Sequence, residues 1–308
     1  MRLLVEISPH QKARYDTKYI MWQVVIALLP PSFAAIIFFK LLAVKLIAVC
    51  VLGTNLTEAA VLFFRRRPQR FWDGSATVTG LLLALILPPA LPLSVAFLGS
   101  VVAILVGKQL FGGLGQNIFN PALVGRAFLI ASFPTLLTSW TEPYTLDAVT
   151  SASPLALWKF NHVFTKLPHL FLGDIPGSLG ETSALALIIG GLYLIGRKIA
   201  DWRAPLGMLI GVSVLAGILS ILNPQNGSIL FHLFAGGIML GAFFMVTDPV
   251  TSPATRKGRF IFGFLIGVMV MVIRKWGGLP EGVMYSILFM NAFVPLINRL
   301  TKEKAFGR

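Results

Sequence analysis

The stretch YIMWQVVIALLPPSFAAIIFF, residues 19–39, decides the class of fold of this chain. Its 21 residues include no charged side chain, and roughly 20 apolar residues in a helix suffice to cross the hydrocarbon core of a bilayer. Nine more apolar stretches follow it. We therefore predict an all-α, polytopic membrane protein with about ten transmembrane helices. The predicted helices cover residues 19–39, 41–64, 75–88, 93–107, 118–138, 181–196, 205–222, 228–246, 259–273 and 281–298.

The composition of the whole chain agrees with the bilayer as its solvent. Hydrophobic residues make up 56% of the 308 and charged residues only 12%, and a water-soluble domain would expose large apolar patches with this balance. The net charge of +14 would suggest a nucleic-acid partner in a soluble protein. Here the Lys and Arg residues stand in short clusters between apolar runs, as topology signals do, so we predict lipid contacts and no nucleic-acid binding.

The distribution of basic residues predicts the orientation in the membrane. The first residues have too short an apolar stretch for a secretory signal, and we interpret them as a cytoplasmic leader. With ten spans this places 19 of the 26 basic residues inside, including Lys108, and six outside, including Arg274. Arg126 lies within the membrane. The positive-inside rule thus favours both termini in the cytoplasm.

The second half of the chain resembles the first at a shift of 165 residues. Pro88 and the run ending Phe111-Gly112-Gly113-Leu114 correspond to Pro253 and the run ending Trp276-Gly277-Gly278-Leu279. Five spans per half is an odd number, so the halves would cross the membrane in opposite directions, which is the inverted repeat of many transporters. We predict a first transmembrane half at 1–138, an outer-face, non-helical loop at 139–180 and a second half at 181–308.

The residue types available for redox or metal chemistry are few. The single cysteine, Cys50, lies in an apolar run, so the chain cannot hold a Cys-ligated iron–sulfur cluster by itself. The four histidines are scattered, and we predict that His232 is a packed or hydrogen-bonded helix residue rather than a ligand, with no metal site. Any redox centre must be organic or belong to a partner.

One short run in the outer loop carries a candidate cofactor site. Residues 147–153 read Asp-Ala-Val-Thr-Ser-Ala-Ser, which by composition is an ordinary polar turn. The run also resembles the flavin-attachment motif Asp-x-x-(Ser/Thr)-Gly-Ala-(Thr/Ser), in which a flavin transferase joins FMN through its phosphate to the last hydroxyl residue. Asp147, Thr150 and Ala152 match the motif, and Ser153 stands at the acceptor position. Ser151 replaces the usual Gly, and Ser153 replaces the commoner Thr.

Further motifs in the same order extend the resemblance over most of the chain. Together they look like the D-subunit family of Rnf complexes, which is similar to the B subunit of the sodium-pumping NADH:quinone reductase. The runs that carry it are Ser8-Pro9-His10, Ile20-Met21-Trp22, Asp73-Gly74-Ser75-Ala76, Val78-Thr79-Gly80, Leu87-Pro88-Pro89, Gly112 to Ala122, Thr247 to Pro253 and Gly277 to Gly282.

This resemblance implies a subunit of a bacterial inner-membrane complex that moves electrons between ferredoxin and NAD, coupled to Na⁺ or H⁺ translocation. The implied cofactor is covalent FMN on the outer face, at Ser153 here, and the implied partners are the other Rnf subunits and the flavin transferase. The chain would then be part of an enzyme without holding a complete active site. The implied fold is similar to that of urea and ammonium transporters.

The run from Gly112 to Arg126 is a second candidate site. Asn117, Asn120 and Arg126 could serve a second, non-covalent flavin or an ion path, and packing of small residues is the ordinary alternative. A cation at membrane depth requires a partner, and we predict Glu58 for Arg126. Asp248 is either an ordinary interfacial turn residue or an ion entry.

Two other functions remain open on the sequence. A urea- or ammonium-type solute channel would share the fold but would not need the run 147–153. A scaffold subunit that has lost its flavin is the second, because Ser151 and Ser153 depart from the motif. Flavin fluorescence of the denatured chain separates these possibilities.

Overall fold

A computed structural model describes residues 16–66, 73–144 and 150–302, and this part of the chain is mostly helical. The fold is therefore built from helices, as predicted. The helices are α1 (Thr17–Phe64), α2 (Ser75–Leu85), α3 (Leu93–Ile104), α4 (Pro121–Ser132), α5 (Pro134–Thr138), α6 (Pro154–Asn161), α7 (Leu167–Leu172), α8 (Ala184–Gly196), α9 (Arg203–Leu222), α10 (Ile229–Phe234), α11 (Ile238–Leu240), α12 (Arg256–Trp276) and α13 (Val283–Leu300). Leu105–Gln109 and Gly241–Met245 extend α3 and α11 as π-helical turns.

Helix α1 contains two of the predicted spans. Its 48 residues are interrupted at Lys40, whose φ of 49° and ψ of −127° are not helical. A positive φ is rare outside glycine, so the chain changes direction here and α1 consists of two arms, corresponding to 19–39 and 41–64. In the described ranges, three helices are long and apolar enough to cross a membrane: α1, α9 and α13.

Every other predicted span also contains a helix, but two of these spans are broken. The segment 118–138 divides into α4 and α5 at Pro134, whose ring disfavours a helical conformation for the preceding Phe133. The segment 228–246 divides into α10 and α11, because residues 235–237 leave the helix and Gly236 has a φ of 71°. Periodicity of apolar residues did not reveal either break.

Small residues bring α9 and α12 into backbone contact. A Cβ added to Gly263 would lie 2.1 Å from the Ala204 carbonyl, and one added to Gly267 would lie 2.3 Å from the Met208 carbonyl. Gly207 is equally close to α12 from the other side, since its added Cβ would be 2.4 Å from a carbonyl oxygen there. Such small-residue contacts drive helix association where lipid removes the hydrophobic gain.

The stretch 139–180, which we expected to be non-helical, contains structure. Strand β1 (Trp140–Thr141) pairs antiparallel with β2 (Thr150–Ser151), and α6 and α7 follow. Pro154 occupies the first position of α6, where its missing N–H costs nothing. The last residues of the stretch enter the bundle, because the Gly180 N–H donates to the Leu85 carbonyl at 2.6 Å.

Contacts between distant segments define two opposite ends of the helical bundle. At the first end, four distant segments meet around a hollow that is lined by Asp16, Asp73, Gly115 and Val250. At the second end the Tyr144 N–H donates to the Phe38 carbonyl at 3.0 Å, and α6 packs beside the carboxyl end of α12. The segments predicted to be cytoplasmic thus meet at the first end, and those predicted to face outward meet at the second.

Candidate functional site

The predicted FMN acceptor, Ser153, is the amino-terminal cap of α6. Its Oγ accepts a hydrogen bond from the Ala156 N–H at 3.3 Å, and the residue is buried, whereas Ala152 is exposed. Serine caps a helix by satisfying an N–H that has no partner within the helix. Asp147 lies outside the described residues. Thr150 and Ser151 form β2, which brings the described part of the motif to the second end.

Helix α6 is fixed to the second end by two side chains. The Trp158 indole N–H donates to the Gln225 carbonyl at 3.1 Å. Lys159 Nζ donates to the carbonyls of Gly277 and Leu279 at 2.5 and 2.9 Å, at the carboxyl end of α12, where a cation is favoured. Burial lowers the pKa of Lys159. Ser153 therefore begins a short helix that is anchored to the rest of the bundle.

The other predicted site residues lie elsewhere. Asn120 caps α4, where its Oδ1 accepts from the Ala122 N–H at 3.1 Å, and Asn117 Nδ2 donates to the Phe119 carbonyl at 3.3 Å. Both asparagines line a cavity at the first end. The structure therefore separates them from Ser153, as the predicted topology required, and gives each a role in local backbone geometry.

A small cavity lies at the first end and adjoins the larger hollow that Asp16 and Asp73 line. Its apolar wall includes Met21, Leu82 and Phe244, and its polar edge includes Lys108, Asn117 and Asp248. The centres of water molecules can occupy about 70 Å³ of this cavity, so it can hold ordered water. A mostly apolar pocket with a few converging polar groups is the usual composition of a ligand site.

Asp248 closes a turn beside this cavity. Its Oδ1 accepts from the Val250 N–H at 3.1 Å, and its Oδ2 accepts from the Thr251 hydroxyl at 3.0 Å. Burial raises the pKa of its carboxyl group. Both predicted descriptions of Asp248 therefore remain: it is a turn residue, and its carboxyl also lines a space that admits water.

A buried ion pair joins Glu58 to Lys108 rather than to Arg126. Lys108 Nζ lies 2.5 Å from Glu58 Oε1 and 2.5 Å from Ser75 Oγ, and Gln109 Nε2 donates to the same Glu58 oxygen at 3.1 Å. The π-helical turn Leu105–Gln109 carries both Lys108 and Gln109; such turns are frequent at functional sites. The predicted pairing of Arg126 with Glu58 is wrong because Lys108, counted as an exposed topology signal, points into the bundle.

Arg126 instead pairs with Glu281, 155 residues further along the chain. Arg126 Nη2 lies 3.0 Å from Glu281 Oε2, and Glu281 Oε1 accepts from the Gly237 N–H at 3.0 Å, in the break between α10 and α11. Glu181 is close enough to interact electrostatically with both charges, and its Oε1 has no hydrogen-bond partner in the described part of the chain. Charges from both halves thus meet around this break.

Arg274 and His232 are two further buried polar residues at the second end. Arg274 donates to the carbonyls of His232 and Ala235 at 2.8 and 2.7 Å, so it satisfies the carboxyl end of α10 and is not an exposed topology signal. His232 Nε2 lies 2.6 Å from the Asn226 carbonyl oxygen, as expected for a hydrogen-bonded helix residue. Within 16–66, 73–144 and 150–302, no three His, Cys, Asp or Glu residues are placed to hold a metal ion.

The roles of Glu281 and Glu181 and the inward direction of Lys108 were not predicted from the sequence. The available signal was an ionisable residue inside or beside an apolar run, because such a residue is costly in lipid and must find a partner. That signal identifies the members of the clusters. It does not identify the pairs, since each member has several candidates.

The fold and its buried ion pairs define an α-helical protein with helices of membrane-spanning length and charges held inside the bundle. A model of the NQR2, RnfD, RnfE family matches residues 4–307, and the chain belongs to this family. The resemblance to the D-subunit family of Rnf complexes is thereby confirmed.

Individual relatives match over nearly their whole length. The chain is 46% identical over 311 residues to the D subunit of the Na(+)-translocating ferredoxin:NAD(+) oxidoreductase complex of Acetobacterium woodii, covering 100% of this chain and 96% of the relative. It is 41% identical over 320 residues to the D subunit of the proton-translocating ferredoxin:NAD(+) oxidoreductase complex of Clostridium ljungdahlii, covering 98% and 96%. It is 42% identical over 331 residues to the D subunit of the ion-translocating oxidoreductase complex of Stutzerimonas stutzeri, covering 96% and 93%.

Proposed function

We propose that this chain is the membrane-embedded D subunit of an ion-translocating ferredoxin:NAD oxidoreductase complex in the bacterial inner membrane. The observation that carries the proposal is its near-complete alignment, at 46% identity, with a relative of that name. A second relative, at 41% identity, is named for proton rather than Na⁺ translocation, so the proposal is coupling to one of these two ions. Its partners are the other subunits of the complex and membrane lipid. The alignment favours this function over a solute channel.

The proposed architecture is ten spans in two inverted five-helix halves, with both termini in the cytoplasm. The 165-residue shift relates α3 with its π-helical turn to α12 and carries the Gly-Gly-Leu turn after each of them. The first arm of α1 packs against α8, and α4 packs against α13, which are pairs that a twofold relation would bring together. The first end of the bundle would then be cytoplasmic, and the second end, with the 139–180 segment between the halves, would be the outer face.

We further propose that FMN is attached through a phosphoester to Ser153, after recognition of the run from Asp147 to Ser153 by a flavin transferase. The position of Ser153 at the start of α6 supports this site. In this structure the Ser153 Oγ accepts a hydrogen bond from the Ala156 N–H. After esterification, a phosphate oxygen could accept that hydrogen bond instead, and the negative charge of the phosphate is favoured at a helix amino terminus. Flavin transfers one or two electrons when bound, and the anchored α6 would fix its attachment point.

We propose a second, non-covalent flavin at the first end, where the small cavity opens beside the larger hollow that Asp16 and Asp73 line. Asn117 and Lys108 provide polar groups at one edge and apolar side chains form the wall, as in other cofactor pockets. Asn120 would support the edge through its cap on α4. Arg126 lies outside this lining and is tied to Glu281, so its proposed role is to hold the two halves together beside an ion path.

Covalent flavin is tested on a denaturing gel. The full chain is produced in cells that contain the flavin transferase, and we expect a band that fluoresces as flavin. Ser153→Ala should abolish the fluorescence, whereas Ser151→Gly, which restores the common form of the motif, should keep it. A dark wild-type band would contradict the attachment and favour a scaffold role. Fluorescence that survives Ser153→Ala but not Thr150→Val or Ser151→Ala would place the acceptor there.

The second flavin has its own readout, because acid precipitation releases only non-covalent cofactor. We expect released flavin from Ser153→Ala as well as from the wild-type chain, and its loss from Asn117→Leu. Protein that releases no flavin under conditions that preserve the covalent band would overturn the second site and leave the first intact.

A further inference from the structure

A groove between α9 and α12 lies on the surface of the first end. Arg203, Arg256 and Lys257 form its basic rim, and Trp202, Phe260 and Ile261 are among its apolar and aromatic lining residues. The segment before α9 includes Ala200, which lines the first-end cavity together with Ile20, so the groove belongs to that end of the bundle. None of its lining residues takes part in the proposed flavin sites.

The basic rim is not neutralised by the protein. Arg256 and Lys257 are exposed and have no hydrogen-bond or ion-pair partner for their side chains among the described residues. The nearby acid, Asp201, is already shared by Arg203 and Arg259, at 3.2 and 2.9 Å. Partial burial opposes its ionisation, yet the hydrogen bonds from these two residues outweigh that effect and hold the pKa of Asp201 below its usual range. Cationic groups therefore remain in excess at the rim.

The groove becomes apolar one helical turn away from its rim. On α12, Phe260 and Ile261 follow Arg256 and Lys257 at a spacing of four residues, and neighbours at this spacing lie on the same helix face. On α9, Leu206 lies about one helical turn after Arg203. Ile261 and Leu206 are 41% and 39% exposed, so their apolar surface is open to the surroundings of the bundle.

An aromatic ring marks the boundary between these two zones. Trp202 is half-exposed, and the Arg203 guanidinium lies 5.0 Å from its ring centroid, within the range of a cation–π contact. Tryptophan beside basic residues is typical of the layer where lipid headgroups meet acyl chains. The close backbone contact at Gly207 and Gly263 below fixes the separation of the two helices and with it the groove.

We propose that this groove binds the headgroup of an anionic glycerophospholipid, with its acyl chains along the exposed apolar residues of α9 and α12. Basic pockets between transmembrane helices bind such headgroups in other membrane proteins. The change from cationic to apolar residues within one helical turn matches a phosphate group joined to hydrocarbon chains. A soluble anion or nucleotide would leave the apolar residues of the groove without contacts. The proposal depends on a membrane environment and not on the flavin sites.

The test uses bromine as a short-range quencher of tryptophan fluorescence. The full chain is placed in nanodiscs of phosphatidylcholine with a minor fraction of phosphatidylglycerol, and bromine is attached to the acyl chains of one lipid or the other. The difference between the wild-type chain and Trp202→Phe isolates the contribution of Trp202 among the six tryptophans. We expect brominated phosphatidylglycerol, mole for mole, to quench Trp202 several-fold more than brominated phosphatidylcholine.

Charge variants identify the source of this preference. Arg256→Gln with Lys257→Gln should bring the quenching of Trp202 by the two lipids close to equal, because the attraction of a single basic residue to anionic lipid already corresponds to about fivefold. Lys18→Gln with Arg66→Gln removes the same charge from exposed residues outside the groove and should leave the preference unchanged. Equal quenching by both lipids, or an unchanged preference in the groove variant, overturns the proposal.

A protein partner in the groove would give a different result. If a neighbouring protein of the complex docks there, the groove variant would keep the lipid preference of the isolated chain, and the assembled complex would lose that component in size-exclusion chromatography. That outcome also overturns lipid binding at this position. It would leave the proposed function unaffected, because that rests on the alignment with the D subunits, and it would leave covalent flavin unaffected, because the gel assay at Ser153 tests that independently.

Discussion

Replacement of Glu281 by Gln tests the ion pair that links the two halves of the chain. The carboxylate accepts from Arg126 and from the Gly237 N–H, each at 3.0 Å, and the side chains of Arg126 and Glu281 are only 7% and 17% exposed. Gln keeps the size and one acceptor oxygen but leaves the Arg126 guanidinium buried without its ion-pair partner, with only the more weakly coupled Glu181 as a negative charge nearby. Breaking a buried pair on one side costs about 3–5 kcal/mol. Because Glu281 retains some exposure, we expect a loss at the lower end, about 3 kcal/mol.

The assay is unfolding of the full chain in detergent, followed by tryptophan fluorescence, for Glu281→Gln, Arg126→Met and the double variant. Since the double variant leaves no unpaired charge from this pair, its loss of stability should be smaller than the sum of the two single losses by at least about 1 kcal/mol. Additive losses, or a Glu281→Gln chain as stable as the wild type, would refute the view that the pair holds the halves together.

Three further variants test other parts of the structure. Gly263→Val should destabilise the chain by at least about 2 kcal/mol in the same assay, because the added atoms meet a backbone carbonyl of α9, whereas Gly196→Ala, in open space at the end of α8, should be neutral or slightly stabilising. The pKa of Asp201 is held below its usual value of 3.8, so the stability that this carboxylate contributes is present at neutral pH and is lost as the pH falls below about 4. Over that pH range, the melting temperature of the wild type should therefore drop more steeply than that of Asp201→Asn. Lys159→Met should release α6 from the carboxyl end of α12 and raise protease cleavage of the 139–180 segment, and an unchanged digestion pattern would count against the anchoring contact.

The two proposed flavin sites lie at opposite ends of the bundle. Ser153 lies at the second end, and the cavity with Asn117 lies at the first. The chain has a single cysteine and cannot supply an iron–sulfur cluster of its own. If the proposed flavins are present, electron transfer between the two ends would need further redox centres, which the proposal assigns to partner subunits.

The sequence was sufficient for the features that depend on local composition. A run such as 19–39 needs no tertiary information, because desolvation in a bilayer acts on each residue of a helix separately. The same reasoning identified Arg126 as a cation that must have a partner, and predicted His232 as a hydrogen-bonded residue. It failed at the breaks near Pro134 and Gly236, which an average over apolar residues does not detect.

Only the tertiary structure decided which buried charges meet. Glu58 and Glu281 are both acids beside or within apolar runs, and the sequence offers no reason to prefer either as the partner of Arg126. Because α3 and its π-helical turn pack against α1, Lys108 forms its ion pair with Glu58, and Arg126 forms its ion pair with Glu281. The cost of burying a charge is a property of the residue itself, whereas its compensation depends on distances of about 3 Å between segments far apart in sequence, and the packing of the helices sets those distances.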